Sequence, residues 1–275
     1  MDHTRGDRVV AVNGIRLKDN NDDETWYKLF GNWNAGKAVS LNVLTRNGTN
    51  KDVLFSIGIT HQDPPASCII TTAKKNKVGY LYLERFNAAQ FKQMKNHFAT
   101  FKKEGVRDLV LDLRYNSGGA AGKTSMLANL IAGQAFDGKL FLREENALGH
   151  ADLNSEYKFK RLPESLHTRR LVVLTTDKTC SASEAIINCL RPYLPVYTVG
   201  RTTCGKPYGM RAIDFGENTL SPVTYRLFNS RGEGDYTNGI RPDYMTEDDL
   251  THQLGDPQEG MLKKALKVLE KDALQ

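Results

Sequence analysis

The chain has 275 residues, 40% hydrophobic and 25% charged, as expected of a folded protein with room for one large domain or a medium domain plus a small module. Its net charge of +6 is carried by dispersed Lys and Arg, with no basic block interleaved with aromatics, which argues against a nucleic-acid surface. No stretch approaches the roughly 18 apolar residues of a membrane span, and MDHTRGDRVV lacks the apolar core of a signal peptide, so the chain reads as cytosolic or as a piece without its targeting segment.

In chain order, DRVVAVN (7–13) alternates apolar and polar residues like a half-buried strand and stops at Gly14. Residues 22–34 place Trp26, Leu29, Phe30 and Trp33 at helical spacing. Two further strands, VSLNVLTR and DVLFSIGI, flank a turn at Asn47-Gly48, and Asp63-Pro64-Pro65 reads as a linker. This divides the chain into a module of 1–62 and a larger domain of 63–275. From about residue 76 strands alternate with helices: VGYLYLERF, then the amphipathic NAAQFKQMKNHFATFKKEG, DLVLDLRY, KTSMLANLIAG, LVVLTT, SASEAIINCLRPYL and VYTVG. That alternation predicts an α/β layered domain with largely parallel pairing, whose functional groups gather at the carboxyl ends of the strands. Three loops come after strands there: NSGGAAG, DKTCSASE and RTTCGKPYG.

Ser181, in DKTCSASE, lies where a strand gives way to a helix, so N–H groups at the helix start suit the negative oxygen of a tetrahedral intermediate. The same SASE text matches a capping box, in which Ser181 or Ser183 merely caps the helix. Lys206, 25 residues on, could serve as a base only as the neutral amine, which burial favours; alone, a loop lysine is a surface charge. No histidine sits in comparable context, which disfavours a Ser-His-Asp triad. Gly122-Lys123-Thr124 is a near miss of a phosphate loop, with Ser117 where its first glycine would stand, and that reading makes the chain an NTPase. Cys68, Cys180, Cys189 and Cys204 match neither a zinc nor a CxxC spacing; a disulfide between Cys180 and Cys204 stays open.

Taken together, LDLRYNSGG, SASE with GK 25 residues later, VGRTTCGK and GIRPDY resemble, in order, the motifs of the C-terminal processing (tail-specific) serine peptidases. The RGDRVVAVNGI run, with the helix and two strands after it, resembles the second half of a PDZ domain. The resemblance implies an α/β (α+β) core of the ClpP/crotonase type behind a partial PDZ-like module. It implies hydrolysis of unfolded or C-terminally tagged proteins through an acyl-enzyme, without metal or cofactor. It makes Ser181 the nucleophile, Lys206 the base, and the N–H groups of Gly118 and Ala182 the oxyanion hole, with Gly119, Ser183, Tyr208 and Met210 in support. Its partners would be protein or peptide substrates, homo-oligomers are compatible with it, and relatives of this kind are extracytoplasmic. Many members carry glutamine where Met210 stands; methionine cannot donate to the lysine, so Tyr208 or Asp214 would have to orient it or activity falls. A catalytically weak, ligand-binding relative on the same fold is the alternative.

Overall fold

The computed structural model describes residues 4–18, 23–30, 36–56 and 66–271. The chain divides into two compact units, 1–62 with 249–253 and 63–248 with 254–275. In the first, strands β1 (Arg8–Val12), β2 (Ile15–Arg16), β3 (Ala38–Leu44) and β4 (Asn50–Ser56) form one antiparallel sheet in the order β2-β1-β3-β4. Helix α1 (Asp23–Phe30) brings Leu29 against Val12 and Val39 in a small core. The predicted helix runs to residue 34, but residues 31–35 lie outside the described residues, as do 57–65 with the Asp63-Pro64-Pro65 linker. Residues 249–253 join this unit through Arg5, whose guanidinium donates to the carbonyls of Asp249 and His252.

The larger unit is built on a six-stranded sheet whose central strands are apolar on both faces. Its strands are β5 (Ser67–Thr71), β6 (Lys77–Tyr82), β7 (Asp108–Asp112), β10 (Arg170–Thr175), β11 (Val196–Gly200) and β16 (Tyr244–Met245), in the order β16-β11-β10-β7-β6-β5. All pairs but β5–β6 are parallel. Every residue of β7 and β10 is buried, as a parallel sheet covered on both faces requires. Leu109, Leu111, Leu171 and Val173 face one core with helices α4 (Ala121–Phe136) and α5 (Ala182–Leu190). Val110, Val172, Leu174 and Val199 face the other, with helix α6 (Gly260–Lys271). The helix expected over 87–105 is two helices, α2 (Ala88–Phe91) and α3 (Met94–Lys103), parted at Gln93, whose ψ of 0° leaves the regular helical ladder. Asn87 caps the first by accepting from the Gln90 N–H (3.0 Å).

A second, antiparallel sheet was not legible in the chain: β8 (Leu140–Asn146), β9 (Ser155–Lys158), β12 (Tyr208–Met210) and β15 (Val223–Asn229), ordered β12-β15-β8-β9, with a separate hairpin of β13 (Ile213–Phe215) and β14 (Asn218–Leu220). No helix among the described residues is long and apolar enough to cross a membrane.

At the start of β7 a buried Asp108 carboxylate takes Nη2 of Arg170 (2.6 Å) and of Arg169 (2.6 Å). Burial opposes its charge, but the hydrogen bonds from Arg170 and Arg169 outweigh that and hold the carboxyl below the usual carboxylate range. A depressed carboxyl stabilises the fold above its unfolded pKa of about 3.9 and loses that contribution as pH falls through its folded value. Asp108→Asn is therefore expected to lower the unfolding free energy by about 3 kcal/mol at pH 7. In urea melts, the gap to the wild type should close below about pH 4.

Candidate functional site

The NSGGAAG, DKTCSASE and RTTCGKPYG loops leave β7, β10 and β11, adjacent parallel strands, so the topology brings them together. The first is fixed by Asn116, fully buried, whose Nδ2 donates to Leu83 O (2.7 Å) and whose Oδ1 accepts from the Gly118 N–H (2.8 Å). Its main-chain carbonyl accepts from the Cys180 N–H (3.0 Å) and from Ser183 Oγ (3.0 Å), tying this loop to the second. Ser183 is thus a buried tie between loops rather than the helix cap. Gly118, at φ +100°, has no room for a side chain: a Cβ there would lie 2.9 Å from Ser181 Cβ and 2.8 Å from Cys180 O.

Ser181 precedes α5 with φ +56° and ψ −113°, a conformation L-residues rarely adopt and that costs on the order of 1–3 kcal/mol. Such strain persists only where surroundings enforce it, and Glu184 does so. Its fully buried carboxylate accepts from the Ser181 N–H (2.8 Å), the Gly205 N–H (2.7 Å), the Lys206 N–H (2.9 Å) and Thr203 Oγ1 (2.5 Å). The Glu184 N–H in turn donates to the main-chain carbonyl of Ser181 (2.9 Å). The Glu184 half of the capping box is therefore present, and the same carboxylate binds the loop of Ser181 to the loop of Lys206. A Cys180–Cys204 disulfide, with Cα atoms 5.2 Å apart, joins the same two loops and closes the question the spacing left open.

Ser181, Ala182, Gly119, Lys206, Tyr208 and Met210 line one cavity of about 260 Å³. Leu142, Ala185, Tyr225 and Leu227 give it an apolar wall, drawn from α5 and the second sheet. The Tyr225 ring lies over Gly209, where a Cβ would come within 2.0 Å, so a side chain there would displace the ring. Thr124 also lines the cavity, and its buried hydroxyl has no partner among the described residues.

Two expectations are corrected by the geometry. The Gly118 N–H is engaged by Asn116 Oδ1, so it is not a free oxyanion donor in this arrangement. The amides of Gly119 and Ala182 have no hydrogen-bond partner among the described residues. Met210 does orient Lys206, as an acceptor: Lys206 Nζ donates to Met210 Sδ (3.4 Å). Of the substitutes, Asp214 accepts from Thr219 Oγ1 (2.7 Å) and Tyr208 packs its ring under Arg226, and neither bonds Lys206 among the described residues. Ser181 Oγ and Lys206 Nζ share the cavity without a hydrogen bond between them.

The surrounding charges are structural. Arg114, fully buried, donates to Asp112 (2.6 Å), Glu259 (2.8 Å) and Asp248 (2.9 Å), and Tyr80 Oη donates to Asp112 (2.7 Å). These bonds fix the root of the 113–119 loop; they outweigh burial and keep Arg114 protonated, while burial first and then Asp112 push the Tyr80 phenol up. Across β8 and β9 burial raises the Glu144 carboxyl against the pull of Tyr157 and Arg211, and Tyr157 is pushed up to about 12 by burial and then Glu144. Lys123 stands over the Phe91 ring, 5.7 Å from its centroid, and the loop before it is bonded to the chain at Phe86. Asn116 and Glu184 fix the loops of the candidate site, and the motifs of the sequence single out neither; the signal for Glu184 is its place in SASE, where it also fits one half of a capping box.

Residues 77–246 match the profile of peptidase family S41. The carboxy-terminal processing protease CtpA of Bacillus subtilis is 25% identical over 242 residues, covering 88% of this chain and 49% of that protein. The carboxyl-terminal-processing protease of Synechocystis is 25% identical over 248 residues, covering 89% and 55%. The chain thus spans about half the length of these curated relatives. Among solved structures, a putative S41 protease from Bacteroides fragilis superposes with a TM-score of 0.79 at 25% identity, covering 98% of this chain and 74% of that one. The photosystem II D1 C-terminal processing protease shares the fold, with a TM-score of 0.61 at 21% identity and coverage of 98% and 68%.

Proposed function

The chain belongs to peptidase family S41, and on that premise we propose that it is a serine endopeptidase in which Ser181 attacks and Lys206 serves as general base. Membership overturns the phosphate-loop reading of Gly122-Lys123-Thr124. The observation that carries the proposal is the convergence of Ser181, Lys206, Gly119 and Ala182 on one cavity from three separate loops. In the reaction the Lys206 amine leaves Met210 Sδ and takes the proton of Ser181 Oγ as the oxygen adds to the scissile carbonyl. The tetrahedral oxyanion is received by the Ala182 and Gly119 N–H groups, two amides without partners among the described residues. Lys206 then returns the proton to the leaving amine, and water releases the acyl group from Ser181 by the same route in reverse.

The wall of Leu142, Ala185, Tyr225 and Leu227 favours a substrate with an apolar side chain beside the scissile bond. Unfolded or C-terminally tagged proteins expose such segments. The N-terminal unit is read as part of a PDZ domain, which in its whole form holds peptide ends. The Cys180–Cys204 disulfide favours an oxidising, extracytoplasmic site of action.

Ser181→Ala tests the reading. Hydrolysis of an unfolded polypeptide should fall by about 1,000-fold or more, with folding unchanged. Hydrolysis at the wild-type rate would remove Ser181 from the mechanism and favour a ligand-binding relative.

A further inference from the structure

We infer that the Cys180–Cys204 disulfide is a positioning element for Ser181 and Lys206, and that its reduction by a dithiol turns the peptidase down. The inference rests on the assignment of Ser181 and Lys206 as the reacting pair of a peptidase. Cys180 is the chain neighbour of Ser181, and Cys204 stands two residues before Lys206. The bond therefore crosses between the two loops within two residues of both proposed reacting groups. Among the described residues three kinds of contact join these loops there: the disulfide, the hydrogen bonds to Glu184, and the bond from the Cys204 N–H to Thr179 O (3.0 Å).

What the disulfide restrains is the least relaxed part of the site. Ser181 is held at φ +56°, a conformation its own residue type does not favour. The bridge ties the residue before Ser181 to the Lys206 loop, and removing it lets that torsion relax toward the ordinary region. Because Gly118 packs directly on Ser181, such a relaxation also disturbs the turn that presents the Gly119 amide. Neither hydrophobic core of the large unit contains Cys180 or Cys204, so the fold does not depend on the bridge for its apolar packing.

The bond is placed for exchange. Cys204 is exposed and Cys180 half-buried, so a thiolate can approach Cys204 Sγ. Attack there forms a mixed disulfide and expels Cys180 as the thiolate. The second thiol of the dithiol then closes on its partner sulfur and releases Cys204. Two electrons and two protons pass to the protein, giving two cysteine thiols and one oxidised, cyclic disulfide. Of the other cysteines, Cys189 is fully buried with its thiol pushed up by burial, and Cys68 lies on β5 at the far edge of the sheet. Neither is placed to intercept the exchange.

The test compares the oxidised protein with the same protein treated with dithiothreitol and then desalted, on an unfolded fluorogenic polypeptide. A chelator is kept throughout, because ligand atoms of Cys180, Glu184 and Cys204 lie within 4.8 Å of one another and freed thiols there would capture stray metal. Reduction, confirmed by thiol titration, should lower kcat by about 10- to 100-fold. KM should stay within about twofold, and the circular dichroism at assay temperature should not change. Reoxidation should restore kcat. A Cys180→Ser/Cys204→Ser double variant should show the lowered kcat at the start and ignore dithiothreitol. An unchanged kcat in the reduced protein overturns the inference, and so does a loss of activity that merely tracks unfolding. Ser181→Ala assayed in parallel separates the two claims. If it is inactive while oxidised and reduced enzyme are equal, only the redox inference fails; if it is as active as wild type, the peptidase assignment fails.

Discussion

Lys206→Ala is expected to lower kcat for polypeptide hydrolysis by about 1,000-fold or more while leaving the folding transition near that of the wild type. The side chain is half-exposed and among the described residues is bonded only through its amine to Met210 Sδ, so its removal opens no cavity and strands no buried donor. The loop itself is held by main-chain groups, since the Gly205 and Lys206 N–H bonds to Glu184 survive the substitution. What is lost is the only amine among the residues lining the cavity that can take a proton from Ser181. Lys206→Arg should be equally inactive, because a guanidinium does not give up its proton in a protein. Steady-state kinetics with a thermal melt on each variant checks this. A Lys206→Ala protein retaining a tenth of wild-type kcat would point to another base.

The second large effect is assigned to Glu184→Gln. Glu184 accepts from three main-chain N–H groups and one hydroxyl in a fully buried position, which demands an acceptor on both oxygens. Glutamine presents an NH₂ to one pair of those donors and leaves them unsatisfied, at about 1–3 kcal/mol each. An unfolding free energy lower by about 3 kcal/mol is expected. Because the groups released are the amides of Ser181 and Lys206 or of Gly205, kcat should fall by about 100-fold through misplacement alone. Urea melts and kinetics on the same preparation measure both. Wild-type kcat with lowered stability would make Glu184 a structural acid only.

The parallel core was legible because its central strands are apolar on both faces, as in DLVLD and RLVVLT, and β7, β10 and β11 each lead into a loop rich in glycine, serine or threonine. The antiparallel sheet was not, because β8 and β15 carry charges. Arg226 stands opposite Glu145, Arg143 opposite Phe228, and Glu144 is buried beside Arg211, so their apolar alternation is broken by pairs visible only across strands. That sheet supplies Leu142, Tyr225 and Leu227 to the cavity, so much of its wall was invisible in the chain. Ser181, Lys206, Gly119 and Ala182 could be named from motif text. The hydrogen bonds they make could not: Asn116 occupying the Gly118 amide and Met210 accepting from Lys206 both depend on rotamers in the folded loops. Glu184 shows the same limit, since SASE is satisfied equally by a cap and by a carboxylate that binds two loops together.

The central claim is that Ser181 is the nucleophile. Reaction with a fluorophosphonate, then proteolysis and fragment-ion mass spectrometry that separates Ser181 from Ser183, should place one phosphonyl adduct on Ser181, absent in Ser181→Ala and slowed by about 100-fold or more in Lys206→Ala. An adduct on Ser117 or Ser183 instead, or continued hydrolysis by protein fully labelled at Ser181, would contradict it.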